Sequence, residues 1–188
     1  PEGYLINGRL NSELRIGGTD DEPEISYRWN TPRLSVNRAD VTECRGEVAY
    51  RNRKLYTRDP ARLVIGSNRA YLSGLVPFHL SFTEFHAEPL AQDIEGRLDI
   101  AIDDLEFLPL ILPQIGFAEA TGSINVTVGG QVPKPQLKGV ADLSNLAFNI
   151  TDTYFDVDET NLTVDFTNEG FQIRRCEGLL NGGVFKAE

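Results

Sequence analysis

Apolar and polar residues alternate along most of this chain with a period of two. In "SINVTV" (123–128), Ile124, Val126 and Val128 fall on one side and Asn125 and Thr127 on the other. "NLTVDF" (161–166) sets Leu162, Val164 and Phe166 against Thr163 and Asp165. "GFQI" adds Phe171 and Ile173, "NLAFNI" adds Leu146, Phe148 and Ile150, and "SELRI" adds Leu14 and Ile16. A two-residue period is the signature of a half-buried strand. The turn signals "YRNRK", "TRDP", "GSN", "TNEG" and "LLNGG" punctuate these runs at short intervals. Many short strands with one apolar and one polar side predict an all-β, antiparallel sheet that is wet on one face.

The pattern also recurs. "GGTDDEPEI" (17–25) and "GGQVPKPQL" (129–137) each read Gly-Gly, four residues, Pro, one residue, then Ile or Leu. Aligned on that signature, Leu14 and Ile16 meet Val126 and Val128, and Leu34 meets Leu146. After a small shift, Val48, Tyr50 and Asn52 match Val164, Phe166 and Asn168, and Gly66 matches Gly182. This is a diverged tandem repeat, with approximate units 3–75 and 118–188 and connecting strands between them. Repeat architectures stack units that each cover the next one's open edge or face. The corner residues Gly17, Gly18, Pro23, Gly129, Gly130 and Pro135 are expected to be structural. The glycines permit a tight bend, and the proline ends the ladder where the chain turns back.

One segment breaks the alternation. In "DDLEFLPLILPQIGFAEATG", Leu105, Leu108, Leu112 and Ile115 fall at heptad-like spacing, which predicts a short helical or irregular apolar segment near 104–117. Pro109 and Pro113 argue against one continuous helix, since each removes a backbone donor. Such a segment either lies over an apolar surface as a plug or packs as a crossover between sheet units.

Composition narrows the classes. The chain has 188 residues, 40% hydrophobic and 24% charged, and a formal net charge of −10. A phosphate-tracking surface needs clustered Lys and Arg, so nucleic acid is not an expected partner. The run "LPLILP" is far shorter than the roughly 18 residues of a membrane-spanning helix. A chain that begins at Pro1 and contains no methionine is expected to be part of a longer protein. Cys44 and Cys176 either pair or remain free thiols, and one pair is not a disulfide scaffold.

Candidate chemistry is sparse. His79 and His86, with Glu84 and Glu88 nearby, would fall on opposite faces of a single strand because their spacing is odd, so no metal site is expected. No nucleophile elbow, metal-ligand spacing or phosphate loop is present, and "TDDEPE" lacks the spacing of a calcium loop. The sequons at Asn125, Asn149 and Asn161 are a by-product of alternating strands. The expectation is a non-enzymatic protein with no cofactor.

The order "PLILPQIGFAEATGSINVTVGGQVPKPQLKGVADLSNLAFNI", then "LTVDFTNEGFQI", then "LLNGGVFKAE", resembles the TamB family of translocation and assembly module proteins. The elements that carry the resemblance are the leucine-rich stretch 105–115, the Gly-led strand 122–128, the Gly-to-Pro corner 129–135 and the Gly-Gly-aromatic strand 182–185. The related AsmA group is similar in style. The chain departs from the family pattern in reading Gly-Gly at the corner where Gly-Thr is usual. The resemblance is clearest from about residue 105 onward.

It implies an elongated, U-shaped β-groove in a periplasmic parent chain anchored to the inner membrane of a diderm bacterium. An outer-membrane barrel protein of the TamA/BamA type would be the partner of that parent chain. The implied roles are phospholipid transport between membranes, outer-membrane assembly and protein secretion or translocation, with neighbouring repeats of the same chain as further partners. On that reading, phospholipid acyl chains would lie against Leu14, Ile16, Leu34, Val48, Tyr50, Ile124, Val126, Val128, Leu146, Phe148, Ile150, Leu162, Val164, Phe166, Phe171 and Ile173. The alternative is a closed β-sandwich interaction or adhesion module, in which the same residues form a dry core.

Overall fold

The structure, a computed structural model, describes residues 5–83 and 85–187. Five strands open the chain: β1 (Ile6–Gly18), β2 (Pro23–Val36), β3 (Ala39–Arg51), β4 (Lys54–Ile65) and β5 (Asn68–Ser81). They are followed by β6 (His86–Pro89), β7 (Glu95–Ile102) and a single helical turn, α1 (Leu108–Ile111). The chain continues through β8 (Ile115–Gln131), β9 (Lys134–Ile150), β10 (Asp156–Thr167), β11 (Gly170–Leu180) and β12 (Gly183–Ala187). All twelve strands belong to one sheet with the order β1-β2-β3-β4-β5-β7-β8-β9-β10-β11-β12, and β6 pairs with β5 off that path. Every pairing is antiparallel and joins neighbours in sequence, except that β5 also pairs with β7 across β6. Such a meander needs only short turns, which the Gly- and Asn-rich connections supply.

The Gly-Gly-Pro corner has the same cross-strand partners in both places. Gly18 lies opposite Pro23 and Gly130 opposite Pro135, while Gly17 faces Glu24 and Gly129 faces Gln136. Gly18 and Gly130 both take left-handed backbone conformations, with φ of 83° and 74°. The sequence suggested that proline ends the ladder at this bend. Instead Pro23 opens β2, and Pro135 is the second residue of β9, where the ladder runs one pair further, from Gln131 to Lys134. Pro is tolerated at the first residues of a strand because its missing N–H need not serve the ladder there. Gly66 and Gly182 also share positive φ, 59° and 76°.

Residues directly opposite each other in an antiparallel pair point to the same face, so the register traces one face across the sheet. Ile124 stands between Ile100 and Ala141, and Ala141 opposes Val164, which opposes Ile173. On the other side, Ile100 opposes Ala70, then Leu63, then Cys44. A parallel row runs from Ile16 through Ile25, Tyr50 and Leu55 to Val76. Bulges keep this face apolar where simple parity would fail. Leu143 and Leu146 are an odd distance apart, yet they oppose Leu162 and Thr160, because Asn145 (φ 52°) and Glu159 (φ 48°) sit where the register between β9 and β10 shifts.

The sheet curls. Helix α1 touches both β3 and β8, although β4, β5 and β7 lie between those two strands. Four strand spacings in a flat sheet span about 19 Å, whereas a four-residue helical turn is about 6 Å long. The Asn37 side-chain amide, at the β2–β3 turn, donates to the carbonyls of Leu110 (3.1 Å) and Ile111 (3.5 Å) in α1. The helical segment expected near 104–117 is thus one turn, with Pro109 inside it and Pro113 beyond its end. It is a crossover from β7 to β8 that also reaches β3 and the β2–β3 turn.

At the opposite end, β5 bends across the sheet beyond Pro77. The Phe78 amide donates to the carbonyl of Arg53, the Leu80 amide to the Tyr50 hydroxyl (3.0 Å), and the Phe82 amide to the carbonyl of Asp20 in the β1–β2 turn. The distal half of β5 and its partner β6 therefore form a flap over one end of the first unit. The approximate unit boundary at residue 75 falls inside β5.

Candidate functional site

Large side chains are scarce inside this molecule. The buried apolar residues are mainly alanines and valines, such as Ala118, Ala120, Ala141 and Val157, and the largest side chains below 2% exposure are Thr160 and Pro23. Meanwhile Leu72 is 52% exposed and Phe171 72% exposed. A closed sandwich of two sheets would turn such residues into a dry core. Here there is one sheet, and its apolar face forms the floor of an open groove.

The residues singled out from sequence converge on this floor. By register, Ile124, Val126 and Val128 share a face with Leu162, Val164, Phe166, Phe171 and Ile173. Leu146 stands opposite Thr160, Phe148 opposite Val157, and Ile150 opposite Ile115, continuing the floor toward α1. In the first unit Leu14, Ile16, Val48 and Tyr50 lie in the same rows, and Leu34 pairs with Val41 near the β2–β3 turn. Their environments differ. Leu14 and Ile16 on the edge strand are exposed, Tyr50 is buried, and most of the others are half-buried.

The floor contains more than the sequence indicated. Leu98 and Ile100 lie opposite Val126 and Ile124, and Leu72 opposite Leu98. "RLDIAI" does carry an alternation that signals this. "ARLVI" and "YLSGLV" do not, because apolar residues occupy both faces of β4 and β5 there. Trp29, the sole tryptophan, stacks on Tyr27 with ring centroids 5.8 Å apart. Its indole occupies the space above Gly46, where any Cβ would collide with the ring. Under the flap, Ile25, Tyr27, Val48, Tyr50, Leu55, Phe78 and Leu80 enclose an apolar recess of about 140 Å³, with Phe78 edge-on to Tyr50.

The opposite face is ionic. Glu47, almost wholly buried, accepts hydrogen bonds from Arg28 (2.6 Å) and Arg58 (2.8 Å), both more than half exposed. The hydrogen bond from Arg28 holds the Glu47 carboxyl below the ordinary carboxylate range. Arg97–Asp99 and Arg174–Asp165 pair on the same side. The arginines of these pairs keep their guanidinium groups where water can reach them, and the floor carries almost no charge.

The histidines behave differently from the single-strand expectation. His79 lies on β5 and His86 on β6, and the turn between them brings both to one face of the flap, with ring centroids 5.2 Å apart. His86 pairs with Glu88 at 2.9 Å, and Glu84 lies outside the described residues. Cys44 and Cys176 are free thiols on β3 and β11, distant in the strand order. Among the described residues no helix is long and apolar enough to cross a membrane. Comparison with family models, with curated proteins and with solved structures finds no match to this chain.

Proposed function

We propose that this chain is a segment of a lipid conduit, holding phospholipid acyl chains along the groove floor while head groups remain in water. The observation that carries this reading is the single-layer sheet whose leucine, isoleucine and phenylalanine side chains stay exposed on a continuous concave face. An acyl chain moved from water to an apolar surface gains about 0.8 kcal/mol per CH₂, so a chain of ordinary lipid length strongly favours such a floor. The attraction is non-directional and supplies no fixed stop, which suits sliding. The open side spares the head group the cost of burial. The sequence resemblance to the TamB family agrees with this reading and extends it to a periplasmic parent chain that works with an outer-membrane barrel.

Native mass spectrometry tests the proposal on the chain purified from bacterial cells without detergent, with lipid extraction in parallel. Co-purified phospholipid is expected from the parent sequence, and its loss is expected from Val126→Arg and from Val164→Arg. Both valines lie on the floor, in adjacent rows. A lipid-free chain that takes up no phospholipid when offered it, or variants that retain lipid despite the arginine, would overturn the reading.

A further inference from the structure

The flap carries its own chemistry on the side turned away from the groove. Phe78 and Leu80 line the apolar recess, and alternation along β5 turns His79 to the other face. On β6, Glu88 stands opposite His79, and His86 opposite Ser81, so His79, His86 and Glu88 share that outer face. Their ligating atoms all lie within 4.8 Å of one another. We infer that His79, His86 and Glu88 form a binding site for a divalent transition-metal ion, with zinc the best fit, and that the ion ties the two strands of the flap together.

The donor set selects the metal. Two imidazole nitrogens and one carboxylate oxygen suit zinc and its borderline neighbours, whereas magnesium and calcium prefer oxygen alone. Three protein ligands leave one tetrahedral position for water. Ligands about 2.0–2.2 Å from a tetrahedral zinc stand about 3.3–3.5 Å apart, so small side-chain rotations at partly exposed positions close the site. Because one ligand comes from β5 and two from β6, an ion bound here cross-links the hairpin that covers the first unit. Such an ion would bind whatever the groove carries.

Isothermal titration of Zn²⁺ alone into the untagged chain tests it, with Co²⁺ absorption reporting the ligand geometry and Mg²⁺ as the control. One Zn²⁺ per chain is expected, with no response to Mg²⁺. His79→Gln and His86→Gln should each weaken binding at least tenfold, since losing even an outer-shell partner of a metal site typically costs 10–100-fold. Glu88→Gln serves as a third variant, and hydrogen exchange across 78–90 should slow when Zn²⁺ is bound. Absence of zinc binding, or binding that any one of the three variants leaves unchanged, overturns the site.

Discussion

Two stretches of the sheet, β1–β5 and β8–β12, share the same corner and are closed differently. Both have the Gly-Gly-Pro corner with the same cross-strand partners, and positive-φ glycines recur at Gly66 and Gly182. In the first unit the distal half of β5 folds back over the floor, so Tyr50 is 5% exposed and its hydroxyl holds the flap through Leu80. Its counterpart in the second unit, Phe166, is half-buried beneath no such cover, and the neighbouring Phe171 is exposed. The repeated strands therefore make a continuous floor, while the flap and α1, both contributed by the segment between the units, cover parts of it.

Truncating the matched aromatics should separate the units most sharply. Tyr50→Ala empties a packed site and is expected to cost about 3–5 kcal/mol. Phe166→Ala removes a half-buried ring and should cost about half as much. Equal losses in denaturant melts would mean that the flap adds no burial.

The corner glycines come next. A Cβ at Gly18 would lie 2.3 Å from the Glu22 carbonyl oxygen, while one at Gly130 meets its nearest neighbour, the Gln136 side chain, at 3.1 Å. Both positions also bear the left-handed penalty of about 1–2 kcal/mol. Gly18→Ala should thus destabilise by about 2–4 kcal/mol, and Gly130→Ala by about 1–2 kcal/mol. The reverse order would break the claim that the first corner is the tighter one.

Tyr50→Phe keeps the ring and deletes the hydroxyl that accepts from Leu80. It should cost about 1 kcal/mol and speed hydrogen exchange in 78–82 while leaving β10 and β11 unchanged. Uniform acceleration across both units would show that the flap is not a separate device.

The smallest effect concerns acid. Glu47 has no ionic counterpart in the second unit, where Thr163 stands at the matching position. Its carboxyl titrates below the ordinary range in the folded chain, so between the folded and unfolded values the unfolded state binds more protons. The stability it contributes is complete above the ordinary carboxylate value and is lost as pH falls through the lowered one. Both arginine partners are more than half exposed, which keeps the contribution small. Glu47→Gln should flatten that part of the acid melt; an unchanged slope would remove Glu47 as its source.

Much of this was legible in local sequence. A two-residue period assigns faces within a strand without reference to any partner, and so "SINVTV" and "NLTVDF" placed their side chains unaided. The corner was legible because glycine's freedom at positive φ is a property of the residue itself. Other features depend on groups far apart in the chain. Asn145 and Glu159 carry no local sign of a bulge, and only the pairing of β9 with β10 shows that Leu146 returns to the face of Leu143. Counting along one strand puts His79 and His86 on opposite faces, and the antiparallel pairing of β5 with β6 cancels that count.

An antiparallel sheet with one apolar face, its recurring corner and the short helical interruption all follow from side-chain alternation and backbone freedom over a few residues. Long-range pairing alone makes the sheet curl until α1 reaches both β3 and β8, folds β5 back as a flap, and brings two histidines and a glutamate together on it. Those outcomes depend on which strands become neighbours and how the sheet bends, and neither is encoded in the period of any one strand.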